Sequence, residues 1–246
     1  MFWFKSRAIA IVIMTLLLCT ACQVFAAKPR EQRCYLPVTF TQEGWHNVCD
    51  PNNTIIPGGM VFSKFKYAFA NFLFYGTLYN NKMLVGKTKI ITYDSTTASL
   101  SRLCMFLPQT GSCGKLDRSY ISPWAPTSAG SLAGEVIALT MNIAYNDQRL
   151  MPRTPGYDLE KFVLAKGLFR GKTVCQVLDI ANRILSGDPP CWYGLSSCEV
   201  LVDILRAINA NYEFVDMNTF NNGDYLIPNR PFGPPDPPHA MQVPCP

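Results

Sequence analysis

The chain has 246 residues, 16% of them charged and 48% hydrophobic, with a formal net charge of +5. Charge is sparse beside the roughly 25% of ordinary soluble domains while the apolar fraction is ordinary, which excludes a disordered, highly charged protein. One long apolar run near the start excludes a polytopic membrane protein, and the roughly +3 that remains without Lys5 and Arg7 is too small and diffuse for a dedicated nucleic-acid binder.

Residues 1–26 read as a secretory signal. Lys5 and Arg7 supply a basic start, Ala8–Leu18 is an apolar core, and Val24-Phe25-Ala26 sets small residues where a signal peptidase cleaves. Two alternatives stay open. The apolar stretch extended through Phe25 is long enough to be an uncleaved anchor. Cys19-Thr20-Ala21-Cys22 could be a lipoprotein signal with Cys22 lipidated, although Cys19 stands where a Leu is expected. With the leader removed, no membrane association is expected and the protein is placed outside the cell.

Eight cysteines remain beyond the leader: Cys34, Cys49, Cys104, Cys113, Cys175, Cys191, Cys198 and Cys245. An even set in an exported chain predicts disulfides, whose pairing sequence cannot choose. Proximity favours Cys34–Cys49, Cys104–Cys113 and Cys191–Cys198, leaving Cys175 and Cys245. A zinc site is disfavoured, because no Cys-x-x-Cys lies beyond the leader and the only histidines are His46 and His239. Asn52-Asn53-Thr54 is a glycosylation sequon on Asn52 in a loop rich in Pro, Asn and Gly.

Residues 28–59 are loop-rich. In Met60–Tyr75, Phe62, Phe65, Phe69 and Phe72 follow the spacing of one helical face and predict a core stripe. Lys87–Tyr93 is β-branched and predicts a strand. Ser95 is placed to cap a helix that Pro108 ends near Leu107. Leu132–Tyr145 predicts a helix with Leu132, Val136, Leu139 and Ile143 on its buried face, and Asn146-Asp147 reads as the turn after it. Thr173-Val174-Cys175-Gln176 is a capping box opening a helix with Val174, Val177, Leu178, Ala181, Ile184 and Leu185 inward, closed by Gly187. Ser196-Ser197-Cys198-Glu199 repeats the pattern before Leu201, Leu205, Ile208 and Tyr212, so the last two helices read as a hairpin. Residues 228–246 hold eight prolines and read as an extended tail. The expected organisation is a signal peptide (1–26), one disulfide-bonded α+β domain (27–227), mixed in its N-terminal part and helical in its C-terminal part, and the proline-rich tail (228–246).

The sequence lacks GxSxG, HExxH, a phosphate-binding glycine loop and GxGxxG. A nucleophilic pair could use only His46 or His239. A carboxylate pair needs no motif, and Glu135, Asp147, Asp158 and Glu160 are candidates in that sense alone. Asn218–Asp224 resembles a calcium loop, but Phe220 occupies a ligand position and an Asn-Gly turn is the better reading. No catalytic residue, cofactor or metal is expected. Trp45, Trp124, Trp192 and Tyr193 lie in loop-like contexts, either as plugs over the core or as aromatic faces for sugar rings.

Several segments together resemble a module of undetermined function found in large secreted and cell-surface proteins. Phe40–Trp45 resembles its Thr-Gln-Gly-Gly-Trp opening, and Phe106-Leu107-Pro108 its helix end. Leu132–Asn142 resembles its Leu-Ala-Gly-Gln helix, and Gly171–Asn182 and Ala207–Tyr212 its closing segments. Glu43 and Glu135 depart from the usual Gly and Gln. The resemblance spans about residues 35–215 and implies an extracellular surface role with no catalytic residue. The expected protein is a non-enzymatic structural or adhesive component of an extracellular matrix, of a surface or skeletal kind. Its partners would be other matrix or surface components. A carbohydrate-binding module and an unrecognised hydrolase are the alternatives.

Overall fold

The computed structural model describes residues 37–52, 59–74, 77–151, 158–213 and 223–227, all within the unit Tyr35–Pro246. The leader, Cys34, the remainder of the sequon, most of the Asn218–Asp224 loop, the proline-rich tail, Cys245 and His239 lie outside the described residues. The architecture is α+β. In chain order it comprises α1 (Gln42–Asn47), α2 (Met60–Ala68), β1 (Phe72–Phe74), β2 (Thr77–Tyr79), β3 (Lys82–Gly86) and β4 (Ile90–Asp94). These are followed by α3 (Thr97–Phe106), β5 (Tyr120–Ile121), α4 (Ser131–Asp147), β6 (Val163–Leu164), α5 (Val174–Ser186), α6 (Cys198–Asn209) and β7 (Leu226–Ile227). Single 3-10 turns lie at Leu159–Lys161 and Pro190–Tyr193.

Helix α4 is the centre. Every residue from Leu132 to Asn146 is buried, so the single apolar face expected for it is too narrow. Its sequence is apolar or small nearly all round, which suits a helix enclosed on every side. Helices α6 and α5 pack on it most extensively, and α1 and α2 cover it from the N-terminal side. The expected turn at Asn146 is the last buried position of this helix, which starts after Gly130. Trp45 and Tyr145 meet edge-on at 4.9 Å, and Phe40, Phe69 and Phe65 extend this aromatic contact chain.

The sheet is small. β3 and β4 pair antiparallel, with Met83 opposite Tyr93, and β5 adds in parallel to the far side of β4. The expected strand at 87–93 is displaced, because Lys87–Lys89 form the turn that joins β3 to β4. Side chains one to two turns apart on α5 hold that turn. Asn182 Oδ1 accepts from Gly86 N (2.6 Å), and Ser186 Oγ accepts from Lys87 N and donates to Lys89 O (3.0 Å). Asp179 pairs with Lys87 Nζ at 3.0 Å. The β1–β2 and β6–β7 pairs are separate two-stranded ribbons.

The Thr173 capping box is present in full, and Gly187 ends α5 at φ 126°, a conformation that disfavours a Cβ. The cap of α3 is Thr96 and not Ser95. Its hydroxyl accepts from Ser99 N, while Asp94 Oδ1 accepts from Thr96 N and Oγ1. Helix α6 is capped at Ser197 without a side-chain cap bond. The phenylalanine stripe breaks after Phe69: α2 ends at Ala68, Phe72 begins a strand, and Phe62 faces solvent. Helices α5 and α6 touch each other little. They form the expected hairpin around the Pro190–Tyr193 turn, and each packs more on α4 than on the other.

Candidate functional site

Three of the segments that carry the resemblance, Phe40–Trp45, Leu132–Asn142 and Ala207–Tyr212, meet in a buried polar seam around α4, whereas Asn182 of Gly171–Asn182 bonds Gly86 instead. Extended residues Val38–Phe40 lie along α4 and meet two asparagines one turn apart. Asn146 Oδ1 accepts from Val38 N (3.2 Å) and Asn146 Nδ2 donates to Val38 O (2.6 Å). Asn142 Oδ1 accepts from Phe40 N (2.8 Å) and Asn142 Nδ2 donates to Phe40 O (2.9 Å). The carboxamide carries the same donor and acceptor as a peptide group. Four helical residues rise about 6 Å and two extended residues span about 6.6 Å, so the two periods nearly match. The asparagine pair therefore acts as a second strand for a segment that has no strand partner on that side.

The seam continues outward from Asn142. Its Oδ1 also accepts from Trp45 Nε1 (3.2 Å), and its Nδ2 also donates to Asn209 Oδ1 (3.0 Å). Asn209 Nδ2 donates to Glu135 Oε2 (2.9 Å), and Gln42 Nε2 donates to Glu135 Oε1 (2.9 Å). Gln42 Oε1 accepts from Gln109 N (2.7 Å). A Cβ at Gly134 would collide with the Gln42 carboxamide, so this glycine is needed for close approach. Thr41 caps α1 by accepting from Gly44 N and donates to Glu213 Oε1 at 2.7 Å. Thr39 and Tyr212 exchange two bonds, and Asn211 Oδ1 accepts from Tyr225 N and Leu226 N.

Glu135 is a buried acid at the middle of the seam. Burial raises its pKa, against hydrogen bonds from Gln42 and Asn209 and the Arg206 guanidinium at 3.5 Å. Its two oxygens meet two donors, a demand that a carboxylate satisfies and a Gln side chain satisfies only if a neighbouring amide flips.

The four expected aromatics separate. Trp45 is 0% exposed and belongs to the core, so its expected role at a sugar is corrected: its indole is committed to Asn142. Trp124 and Trp192 are 59% and 70% exposed. Trp124 follows a pinned segment in which Ser122 (φ 46°) bonds Thr92 O through its N–H and Ser99 Oγ through its hydroxyl. Tyr93 Oη donates to Pro123 O (2.7 Å). Tyr193 is half-buried and donates to Asp188 Oδ2 (2.7 Å). Burial, then the Asp188 carboxylate, raise its pKa to about 12.

The acidic candidates also separate. Glu135 is in the seam, whereas Asp147, Asp158 and Glu160 gather where the end of α4 meets the 159–161 turn. Burial, then Glu160 and Asp158, hold the Asp147 carboxyl well above the usual range, with Lys161 opposing. Burial and Asp158 raise Glu160 to about 7. Lys161 pairs with Asp158. His46 Nδ1 donates to Cys104 O (2.9 Å), so that nitrogen is engaged by the backbone. Among the described residues no group of three or more His, Cys, Asp or Glu is arranged to hold a metal ion.

The short disulfide closures are overturned. Cys49 bonds Cys104, with Cα atoms 5.9 Å apart, and Cys113 bonds Cys198, with Cα atoms 5.6 Å apart. These bridges span 55 and 85 residues. Sequence proximity misled because a bridge needs Cβ atoms that face each other, which packing decides. Cys175 is also disulfide-bonded, and Cys191 is a free thiol, exposed beside Trp192. Asn52 is exposed in the turn after Cys49, and its N–H donates to Asp50 Oδ1. No helix among the described residues is long and apolar enough to cross a membrane.

The chain matches no protein-family model, and no curated protein and no solved structure is significantly similar to it.

Proposed function

We propose that this is a non-enzymatic, secreted glycoprotein that serves as a structural or adhesive component of an extracellular matrix, of a surface or skeletal kind, and that it is related to the secreted module it resembles. The observation that carries the reading is the pair of long-range disulfides, Cys49–Cys104 and Cys113–Cys198. Such bridges persist in oxidising compartments and stabilise a fold against harsh surroundings. The meeting of three of the motif segments on one seam supports the relationship, and the exposure of Asn52 suits a glycan there. Cell fractionation tests the reading: the protein is expected in the insoluble extracellular fraction. Recovery only as a freely soluble species in the medium, or in the cytosol with reduced thiols, overturns it.

A second reading has its own support. Trp124 and Trp192 present exposed indole faces on loops, as a carbohydrate-binding module requires. Glycan-array retention lost in Trp192→Ala or Trp124→Ala, with the melting temperature unchanged, would favour it.

A further inference from the structure

Charge is unevenly spread along the chain. Between residues 51 and 116 lie seven Lys or Arg and a single acid, Asp94, whereas from 117 onward 13 acids face 10 bases. Several of the seven cations are used internally. Lys87 pairs with Asp179, Lys89 Nζ donates to Leu116 O (2.9 Å), and Lys82 lies across the strand register from Asp94. Lys115 is exposed in the loop after α3, and Lys64, Lys66 and Arg102 stand on helices. These last three are exposed, and among the described residues no ion pair engages them.

These three cations stand on α2 and α3, two helices that pack on each other and contain no acid. At 100° per residue, the solvent arc of α2 runs from Phe62 and Lys66 through Ser63 and Tyr67 to Lys64. Lys66 Nζ lies 4.9 Å from the Tyr67 ring centroid. Tyr67 and Met105 are 51% and 64% exposed, and Met105 follows Arg102 by three residues on α3. A single exposed apolar residue carries no meaning. Rings interleaved with cations on two neighbouring helices that carry no acid make a surface complementary to a polyanion with apolar faces, and the exposed acid Asp50 adjoins it through Cys49, which bonds Cys104 of α3.

We propose that this α2–α3 face binds an anionic polysaccharide. Lys64, Lys66 and Arg102 meet sulfate or uronate oxygens, and Tyr67 and Phe62 lie against sugar rings. The proposal rests on the extracellular reading, which decides between polyanions: the negative membrane surface potential belongs to the cytoplasmic leaflet, so a lipid surface is the weaker match.

The test uses the full-length secreted protein with dextran sulfate, neutral dextran and phosphatidylserine vesicles as probes. Dextran sulfate is expected to bind with an affinity that falls as salt rises. The variant Lys64→Gln/Lys66→Gln/Arg102→Gln is expected to lose about tenfold or more, by removal of screened ionic contacts. Arg118→Gln/Arg170→Gln/Lys172→Gln, an equal change of charge at other exposed positions, should lose less than about twofold by the same reasoning. Tyr67→Ala should weaken dextran sulfate binding without changing the salt dependence. Equal losses in the two triple variants, or tighter binding to the vesicles than to dextran sulfate, overturn the proposal. Fractionation separates this outcome from the matrix reading. A freely soluble protein that still binds dextran sulfate through this face keeps the site and loses the matrix role. A matrix-bound protein whose α2–α3 variant binds dextran sulfate as well as the wild type keeps the role and loses the site.

Discussion

The helical centre and the loop-rich flank of this domain are held by opposite means. Around α4, the N-terminal segment, α1 and α6 are joined without covalent bonds, by an asparagine- and glutamine-rich seam in which amide groups meet amide groups. On the flank, the loop after α3 is tied to the start of α6 by Cys113–Cys198, and its Leu116 N–H donates to Leu185 O at the end of α5. The difference follows from what each region can bury. A helix enclosed on all sides can carry polar side chains in register, because each finds a partner and the low dielectric then strengthens every bond. Loops bury too little apolar surface for that, and a cross-link that limits the unfolded chain takes its place.

The sharpest way to break this comparison is to remove the centre of the seam. Asn142→Leu removes, in a buried site, the group that bonds the Phe40 N–H and C=O, the Trp45 indole N–H and Asn209 Oδ1. The expected cost is about 4 kcal/mol or more, enough to prevent isolation of a folded protein or to move the urea midpoint far down. An unchanged midpoint would show that the seam holds nothing. Next in size, Cys113→Ala/Cys198→Ala should cost about 2–4 kcal/mol while leaving the secondary structure, read by circular dichroism, in place. A collapse of helicity in that double variant would mean that flank and centre are one cooperative unit.

The third prediction concerns pH. Glu160 sits at about 7 in the folded state, above its ordinary 4.5. A carboxyl whose folded pKa is raised stabilises the fold most below the unfolded value and loses that contribution as pH climbs through the folded one. Chemical denaturation should therefore show stability falling by about 1–3 kcal/mol between pH 4.5 and 7, with Asp147 and Glu135 acting in the same direction. Glu160→Gln should flatten that slope, and a slope that persists unchanged assigns it to the other two carboxyls. The smallest effect belongs to the α5 cap: Thr173→Ala should lower stability by about 1 kcal/mol, visible as a small drop in the thermal midpoint.

Legibility in the sequence followed the range of the interaction. The Thr173–Gln176 box and the inward face of α5 were readable because cap and amphipathic period act within one helix. The α2 stripe was overextended because Phe72 continues a helical spacing although its backbone joins a strand, a choice made by the pairing with Tyr79. The seam was half legible. The motif order marked Gln42, Trp45, Glu135, Asn142 and Asn209 as a set, but nothing local shows that Asn146, apparently a turn residue, closes the clamp on Val38. Trp45 and Trp192 both read as loop residues in the sequence, but Trp45 stands on helix α1 and is covered by packing, whereas Trp192 lies exposed in a 3-10 turn.

By itself, the amino-acid sequence determined the class of the fold, the central α4 as a helix, the caps and ends of α5, and the presence of cystine chemistry. Each depends on composition or on residues a turn apart. Tertiary structure alone decided which cysteines meet, which tryptophan is covered, and how two asparagines come to serve as a strand. Those outcomes depend on groups tens of residues apart reaching within a few ångströms, and chain spacing carries no record of such approaches.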